Sequence, residues 1–232
     1  MRRALVAVGL IGCGRIDFDP YGTTAPGPSG LALRVDGAGT YATLDALCDA
    51  LTSDFTIEAW VYPDAVQADG YASVFALNDG DGTTNLSLFM WDTTPPQTRF
   101  DYFDDVYANT FEGTITGAAG RWSFLAAAMT TAGTGALYQD GAIANTITTT
   151  RTVTAPCRFS LGQEWDGANA SDFFAGYLDE LRVWTVAKSQ DEVLADQLAS
   201  PRGDEPGLAS YITFDAGFPG MLVGATLEPA PP

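Results

Sequence analysis

The chain has 232 residues, 46% of them hydrophobic and 17% charged, which is apolar material enough for one large folded domain and too much for a disordered one. Its formal charge is −18, from 29 acidic and 11 basic residues, a field that repels DNA, RNA and anionic lipid headgroups and favours hard cations such as calcium. It has no histidine, which removes Ser-His-Asp and Cys-His catalysis and any histidine-ligated zinc or iron site.

At the start, Arg2 and Arg3 precede a short apolar run. The run falls short of the roughly 20 residues that a bilayer span needs, so it reads as the leader of an exported protein. Leu10-Ile-Gly-Cys13 resembles a bacterial lipobox. This implies that residues 1–12 are a signal peptide and that Cys13 becomes a lipid-bearing N-terminus. The expected location is the bacterial cell envelope, lipid-anchored, periplasmic or surface-exposed, with the anchor as the only membrane contact. Residues 13–30 carry Pro20, Pro26 and Pro28 among Gly and Thr and read as a flexible tether. If Cys13 carries lipid, Cys48 and Cys157 remain as an even pair in an oxidising compartment. They form either one disulfide or two buried thiols.

From residue 31 onward, short runs of alternating apolar residues are bounded by Gly, Asp, Asn and Pro. The predicted strands are 31–35, 41–44, 55–62, 73–77, 86–91, 98–103, 122–130, 135–139, 143–148, 158–161, 176–184 and 210–214. A single helix is predicted over 189–198, with Ser189 and Glu192 as its capping box. Residues 227–232 read as a frayed tail, leaving one domain over 31–226. So many strands in one domain, with one short C-terminal helix, predict an all-β protein: two stacked antiparallel sheets with jelly-roll connections. Alternation places Phe55, Ile57, Ala59 and Val61 on a core face, and Thr56, Glu58, Trp60 and Tyr62 on the other. Likewise Leu181 and Val183 share one face, and Glu180, Arg182 and Trp184 the other. Glu58 and Arg182 are therefore expected together, either as an ion pair within the sheet or in contact with a ligand.

Five segments in order carry a family resemblance. They are Asp54-Phe-Thr-Ile-Glu-Ala-Trp-Val61, Gly120-Arg-Trp122, Leu137-Tyr-Gln-Asp-Gly141, Phe159-Ser-Leu-Gly162 and Phe173-Phe-Ala-Gly-Tyr-Leu-Asp-Glu-Leu-Arg-Val-Trp184. Together they resemble the laminin-G-like, concanavalin A-like jelly-roll domains, distantly the pentraxins. That fold hosts lectins, adhesion modules and glycosidases alike, so it implies an architecture before it implies a function. The resemblance implies a calcium site that pairs Asp36, in the turn after the first strand, with Asp179 of the Asp-Glu motif. The alternative is a turn residue and a backbone cap. A second calcium site is implied at Gly162-Gln-Glu-Trp-Asp166, which looks like the pentraxin calcium loop. There Glu164 and Asp166 would give carboxylates and Trp165 a carbonyl, with Asp172 and Asn85 as further ligands. Thr84 stands where the pentraxins have an acidic residue.

Retaining glycosidases need two carboxyls about 5–5.5 Å apart. No strand here carries acidic residues at every second position; Glu58 is alone on its strand, and Asp179 and Glu180 are adjacent. Tyr71, Trp91, Trp165 and Tyr102 are aromatic faces on which a sugar ring could stack. The expected function is a non-catalytic, calcium-assisted binding module for a glycan or an extracellular protein surface, with no nucleic-acid partner. Protein adhesion without sugar and an atypical glycoside hydrolase are the alternatives.

Overall fold

A computed structural model describes residues 28–65, 67, 71–79, 85–92, 99–104, 119–148, 153 and 156–232; for Tyr71, Asp79, 85–92, 99–104 and Ile147 it describes the backbone alone. The strands are β1 (Leu31–Asp36), β2 (Tyr41–Thr43), β3 (Phe55–Pro63), β4 (Tyr71–Asp79), β5 (Asn85–Asp92), β6 (Arg99–Asp104), β7 (Ser123–Met129) and β8 (Thr134–Gln139). They continue with β9 (Ala142–Thr148), β10 (Cys157–Leu161), β11 (Glu164–Asp166), β12 (Asn169–Ser171), β13 (Ala175–Trp184), β14 (Leu208–Ile212), β15 (Met221–Val223) and β16 (Thr226–Pro229). One α-helix, α1 (Gln190–Leu198), follows β13, and a 3₁₀ segment, Asp45–Thr52, links β2 to β3. Among the described residues no helix is long and apolar enough to cross a membrane.

The larger sheet has eight strands in the order β16-β1-β13-β3-β7-β8-β9, with β14 also on β13. The smaller has six, in the order β15-β2-β10-β4-β5-β6, and β11 and β12 form a separate hairpin. All paired named strands run antiparallel. This is the two-sheet sandwich that the strand pattern predicts. The main core lies between the sheets, with Ile57, Val61, Phe75, Leu125, Phe159 and Leu178 all wholly buried. Sequestering an aromatic or branched aliphatic side chain in this way stabilises by about 1.5–3 kcal/mol each.

Cys48, in the 3₁₀ segment, is bonded to Cys157 at the start of β10 with Cα atoms 5.6 Å apart. The bridge ties the β2–β3 connection to the smaller sheet and resolves the alternative left by the cysteine count. Helix α1 begins at Ser189, where the predicted capping box is present: the Ser189 amide and hydroxyl both donate to the Glu192 carboxylate at 2.8 and 2.7 Å.

Two expectations are corrected. Residues 227–232 are not a frayed tail. Thr226–Pro229 pairs with β1, the Ala230 amide donates to Gly30 O at 2.9 Å, and the Trp122 indole donates to Pro231 O at 2.9 Å. A proline at the end of an edge strand removes no ladder hydrogen bond, so its presence did not exclude a strand. Strict alternation also fails in β13. Asp179 stands opposite Trp60 and Arg182 opposite Glu58, so Glu180 and Leu181 together oppose the single residue Ala59. This is a β-bulge, and Glu180 takes φ +54°.

Candidate functional site

The second face of β3 is not open to a ligand. Trp60, Phe124, Ala126, Tyr138 and Val193 of α1 form a second apolar cluster on the outer side of the larger sheet. Alanines at 126 and 128 leave room for the helix to sit down on β7. Beneath it, Glu58 and Arg182 are 0% and 1% exposed, which corrects their assignment as ligand contacts. They do meet, at 4.0 Å. Glu58 also accepts from the Trp184 indole at 2.9 Å, and Arg182 donates to Asp196 O and, at 3.2 Å, to Glu180. Lys188 lies over the Trp184 ring and pairs with Asp196. Burial, with the negative charge of Asp196, pushes the Glu58 carboxyl up to about 8 despite Lys188, Trp184 and Arg182. The group is a sealed polar network under a helix.

Asp36 and Asp179 do not converge on a metal. Asp36 is registered opposite Ala175. Asp179 lies four residues further along β13, a rise of about 13 Å. Asp36 is a turn residue, accepting from the Ala38 amide at 2.8 Å and the Thr40 hydroxyl at 2.7 Å, and these bonds, Thr40 first, hold its carboxyl below the usual range. Asp179 caps its own bulge, accepting from the Glu180 amide at 2.7 Å. Its other oxygen is buried without a partner. Burial, reinforced by the charges of Glu180 and Asp215, pushes this carboxyl up to about 8.

The Gln-Glu-Trp-Asp segment is the hairpin β11–β12, with Glu164 opposite Ser171 and Asp166 opposite Asn169. Gly162 (φ +82°) starts the excursion, with its amide on Val74 O, and Gly167 (φ +61°) closes the turn, conformations that favour glycine. The hairpin folds against the smaller sheet. The Trp165 indole donates to Ser160 Oγ at 2.9 Å, the Arg158 guanidinium lies 4.4 Å from the Trp165 ring, and Asn78 Nδ2 donates to Trp165 O at 3.0 Å. Tyr41 meets Trp165 edge-on at 5.7 Å and Phe173 at 6.4 Å. Tyr41, Arg158, Trp165 and Phe173 are half-buried, while Asp166 and Asn169 are exposed.

The metal reading of this hairpin does not fit the described residues. The carbonyl assigned to a cation is taken by Asn78, Glu164 is buried, and among the described residues no three acidic, histidine or cysteine side chains gather around one point. Asp172 instead takes φ +46° and fastens the chain to β4 through its carbonyl, which accepts from the Ser73 amide at 2.8 Å. Asn85 stands opposite Asn78, Trp91 opposite Ala72, Tyr71 opposite Asp92 and Tyr102 opposite Leu88. The side chains of those four lie outside the described residues. The structure leaves Trp165 half-exposed and groups it with Tyr41, Phe173 and Arg158, which sequence reasoning did not select. Arg158 and Ser160 share a face of β10 by alternation, and that was the available signal.

A family model described as the concanavalin A-like lectin/glucanases superfamily, of laminin-G type, matches residues 36–194. The chain belongs to this superfamily. No curated protein matches the sequence. Among solved structures, the fold is similar to that of a Bacteroides ovatus protein proposed to bind carbohydrate (TM-score 0.61, 16% identity, 88% of this chain and 61% of that one). This chain therefore spans less than two thirds of that protein. It is also similar to a heptameric SAP-like pentraxin from Limulus polyphemus (TM-score 0.53, 16% identity, 89% and 94% covered). A third likeness is to the CBM40 of a Ruminococcus gnavus sialidase, bound to α2,3-sialyllactose (TM-score 0.58, 13% identity, 72% and 96% covered). At these identities the likeness is one of fold.

Proposed function

We propose that the chain is a non-catalytic binding module for a glycan, held on the outer face of the six-stranded sheet beside the β11–β12 hairpin. One observation supports this above others: Trp165, Tyr41 and Phe173 form a half-exposed aromatic group fixed by ring contacts, by Arg158 and by Ser160. Aromatic faces offer apolar surface to sugar C–H groups, and rings already held in place lose little rotamer freedom on binding. Exposed Asp166 and Asn169 at the hairpin tip supply hydrogen-bond partners for hydroxyls. The carbohydrate-bound CBM40 among the structural neighbours agrees with this class of ligand. On this reading lipid at Cys13 carries the module in the bacterial cell envelope, where glycans are within reach. The contacts named involve no metal.

A glycan array probed with and without EDTA tests the reading. Binding that is equal in both arms is expected. Trp165→Ala should weaken it at least tenfold, about 1.4 kcal/mol, in a chain that still unfolds cooperatively. Undiminished binding in Trp165→Ala, or turnover of chromogenic glycosides by the wild-type chain, would overturn it. Loss of binding in EDTA alone would restore a role for calcium.

A further inference from the structure

The end of the larger sheet away from α1 carries an aromatic row that the hairpin site does not use. β1, β13 and β3 bring Arg34 opposite Tyr177 and Tyr177 opposite Tyr62. Pairing of Val61 with Ser123 sets Trp122 beside Tyr62. The Arg34 guanidinium lies 4.8 Å from the Tyr177 ring, Tyr177 and Tyr62 are 6.1 Å apart, and Tyr62 and Trp122 are 5.5 Å apart. The planes are turned by 87° and 64° at the two steps, so the row is corrugated rather than flat. All four side chains are half-exposed.

Three members are held from outside the row, and Tyr62 packs between two of them. The Trp122 indole donates to Pro231 O at 2.9 Å, the Tyr177 hydroxyl to Glu228 at 3.4 Å, and Arg34 to Asp64 at 2.7 Å and Gly176 O at 3.0 Å. The rings therefore offer faces and edges, not free N–H groups, in conformations set before any ligand arrives. A sheet that needed only packing would bury these rings, as it buries Trp60 and Phe124 one step along the same face.

We propose that this row is a second glycan site, for an uncharged, extended polysaccharide, and that the module is bivalent. Strands lie about 4.8 Å apart, so successive rings recur at a spacing comparable with one sugar of an extended chain. The flanking charges select a neutral ligand: Asp64 and Glu228 outnumber Arg34, and the whole chain carries −18. The two sites lie on opposite outer faces of a sandwich whose sheets pack about 10 Å apart. One molecule then bridges two polysaccharide chains, and avidity follows without an oligomer. Bivalency rests on the hairpin reading; the row as a site does not.

The test is a titration of ¹⁵N-labelled full chain with β-1,4-linked hexaoses of glucose, xylose and mannose, and with polygalacturonate. The indole N–H signals are read, with Trp122 and Trp165 assigned through Trp→Phe variants. Expected are saturable shifts of both indoles with one neutral hexaose and none at Trp122 with polygalacturonate. Tyr62→Ala should remove the Trp122 response and halve the stoichiometry. Wild-type chain should raise the light scattering of a soluble neutral β-glucan, and Tyr62→Ala and Trp165→Ala should each abolish that rise. A response at Trp165 alone overturns the row and leaves the hairpin reading standing. A response at Trp122 alone overturns bivalency and leaves the row standing. No response at either indole overturns the row, while the hairpin reading is decided by the glycan array. The wild-type shifts decide the matter even if Tyr62→Ala folds poorly.

Discussion

Replacing Asp179 by Asn should change how the protein's stability depends on pH. Asp179 is 1% exposed, one carboxylate oxygen accepts from the Glu180 amide, and the other has no partner. Burial raises its pKa from 3.8 to about 8 in the folded chain. Between these values the folded state holds a proton that the unfolded state has released. The stabilisation is thus complete below about pH 4 and is lost as pH rises toward about 8, at up to about 1.4 kcal/mol per pH unit. From about pH 5.5 to 7.5 this one group should remove on the order of 2–3 kcal/mol. Glu58, also raised to about 8, adds a slope of the same sign. Asn keeps the shape and the acceptor for the Glu180 amide but cannot ionise. Its own unpartnered N–H group costs about 1–3 kcal/mol, much as the unpartnered acid O–H does. Urea unfolding of wild type and Asp179→Asn across this range is the assay. The curves should come together below about pH 4 and separate as pH rises, with the variant more stable at about pH 8.5. Parallel curves, or a wild type that gains stability with pH, would refute the reasoning.

Other outcomes follow from the cross-link and from the proposed leader. Reducing the Cys48–Cys157 bridge, which closes a separation of 109 residues, should lower unfolding stability by up to about 4–5 kcal/mol, read as a shift in urea midpoint with and without reductant. An unchanged midpoint would mean that the unfolded chain keeps these segments together without the bond. Intact-mass analysis of membrane-extracted protein should show loss of residues 1–12 and added acyl mass on Cys13. A soluble product that retains Met1 would exclude the lipid anchor.

The sandwich was legible because its long strands announce themselves. Phe55–Pro63 alternates large apolar residues on one face, and Ala175–Trp184 is followed by a capped helix. Strands of three or four residues, such as Met221–Val223 and Thr226–Pro229, are too short for a period of two to register. What misled the site reading was local geometry. The bulge at Glu180 breaks the alternation that would have sorted Asp179 from its neighbour. The distance between Asp36 and Asp179 depends on register, which neither residue encodes. Nor does anything in Thr56-Ile-Glu-Ala-Trp60 reveal that a helix more than a hundred residues later will cover Glu58. Trp165 was recoverable because Gly162 and Gly167 bracket it as a turn-bounded excursion. Its ring partner Tyr41 comes from β2, far away in sequence, and Phe173 reaches the group through Tyr41, so neither was.

Among the described residues, the two carboxyls with strongly raised pKa, Glu58 and Asp179, are also buried. A displaced pKa in a cleft is a mark of acid–base catalysis. A general acid must also stand within hydrogen-bond distance of the atom it protonates. Glu58 is wholly buried under α1 with its bonded oxygen turned to the Trp184 indole, and Asp179 is sealed at the fork where β1 and β14 both leave β13. Their raised pKa values follow from desolvation and belong to the stability of the larger sheet. The half-exposed surfaces are aromatic instead: Trp165 with Tyr41 and Phe173 on the smaller sheet, and Trp122 with Tyr62 and Tyr177 on the larger. On the proposed reading it is these half-exposed rings, and not the two buried carboxyls, that meet a ligand.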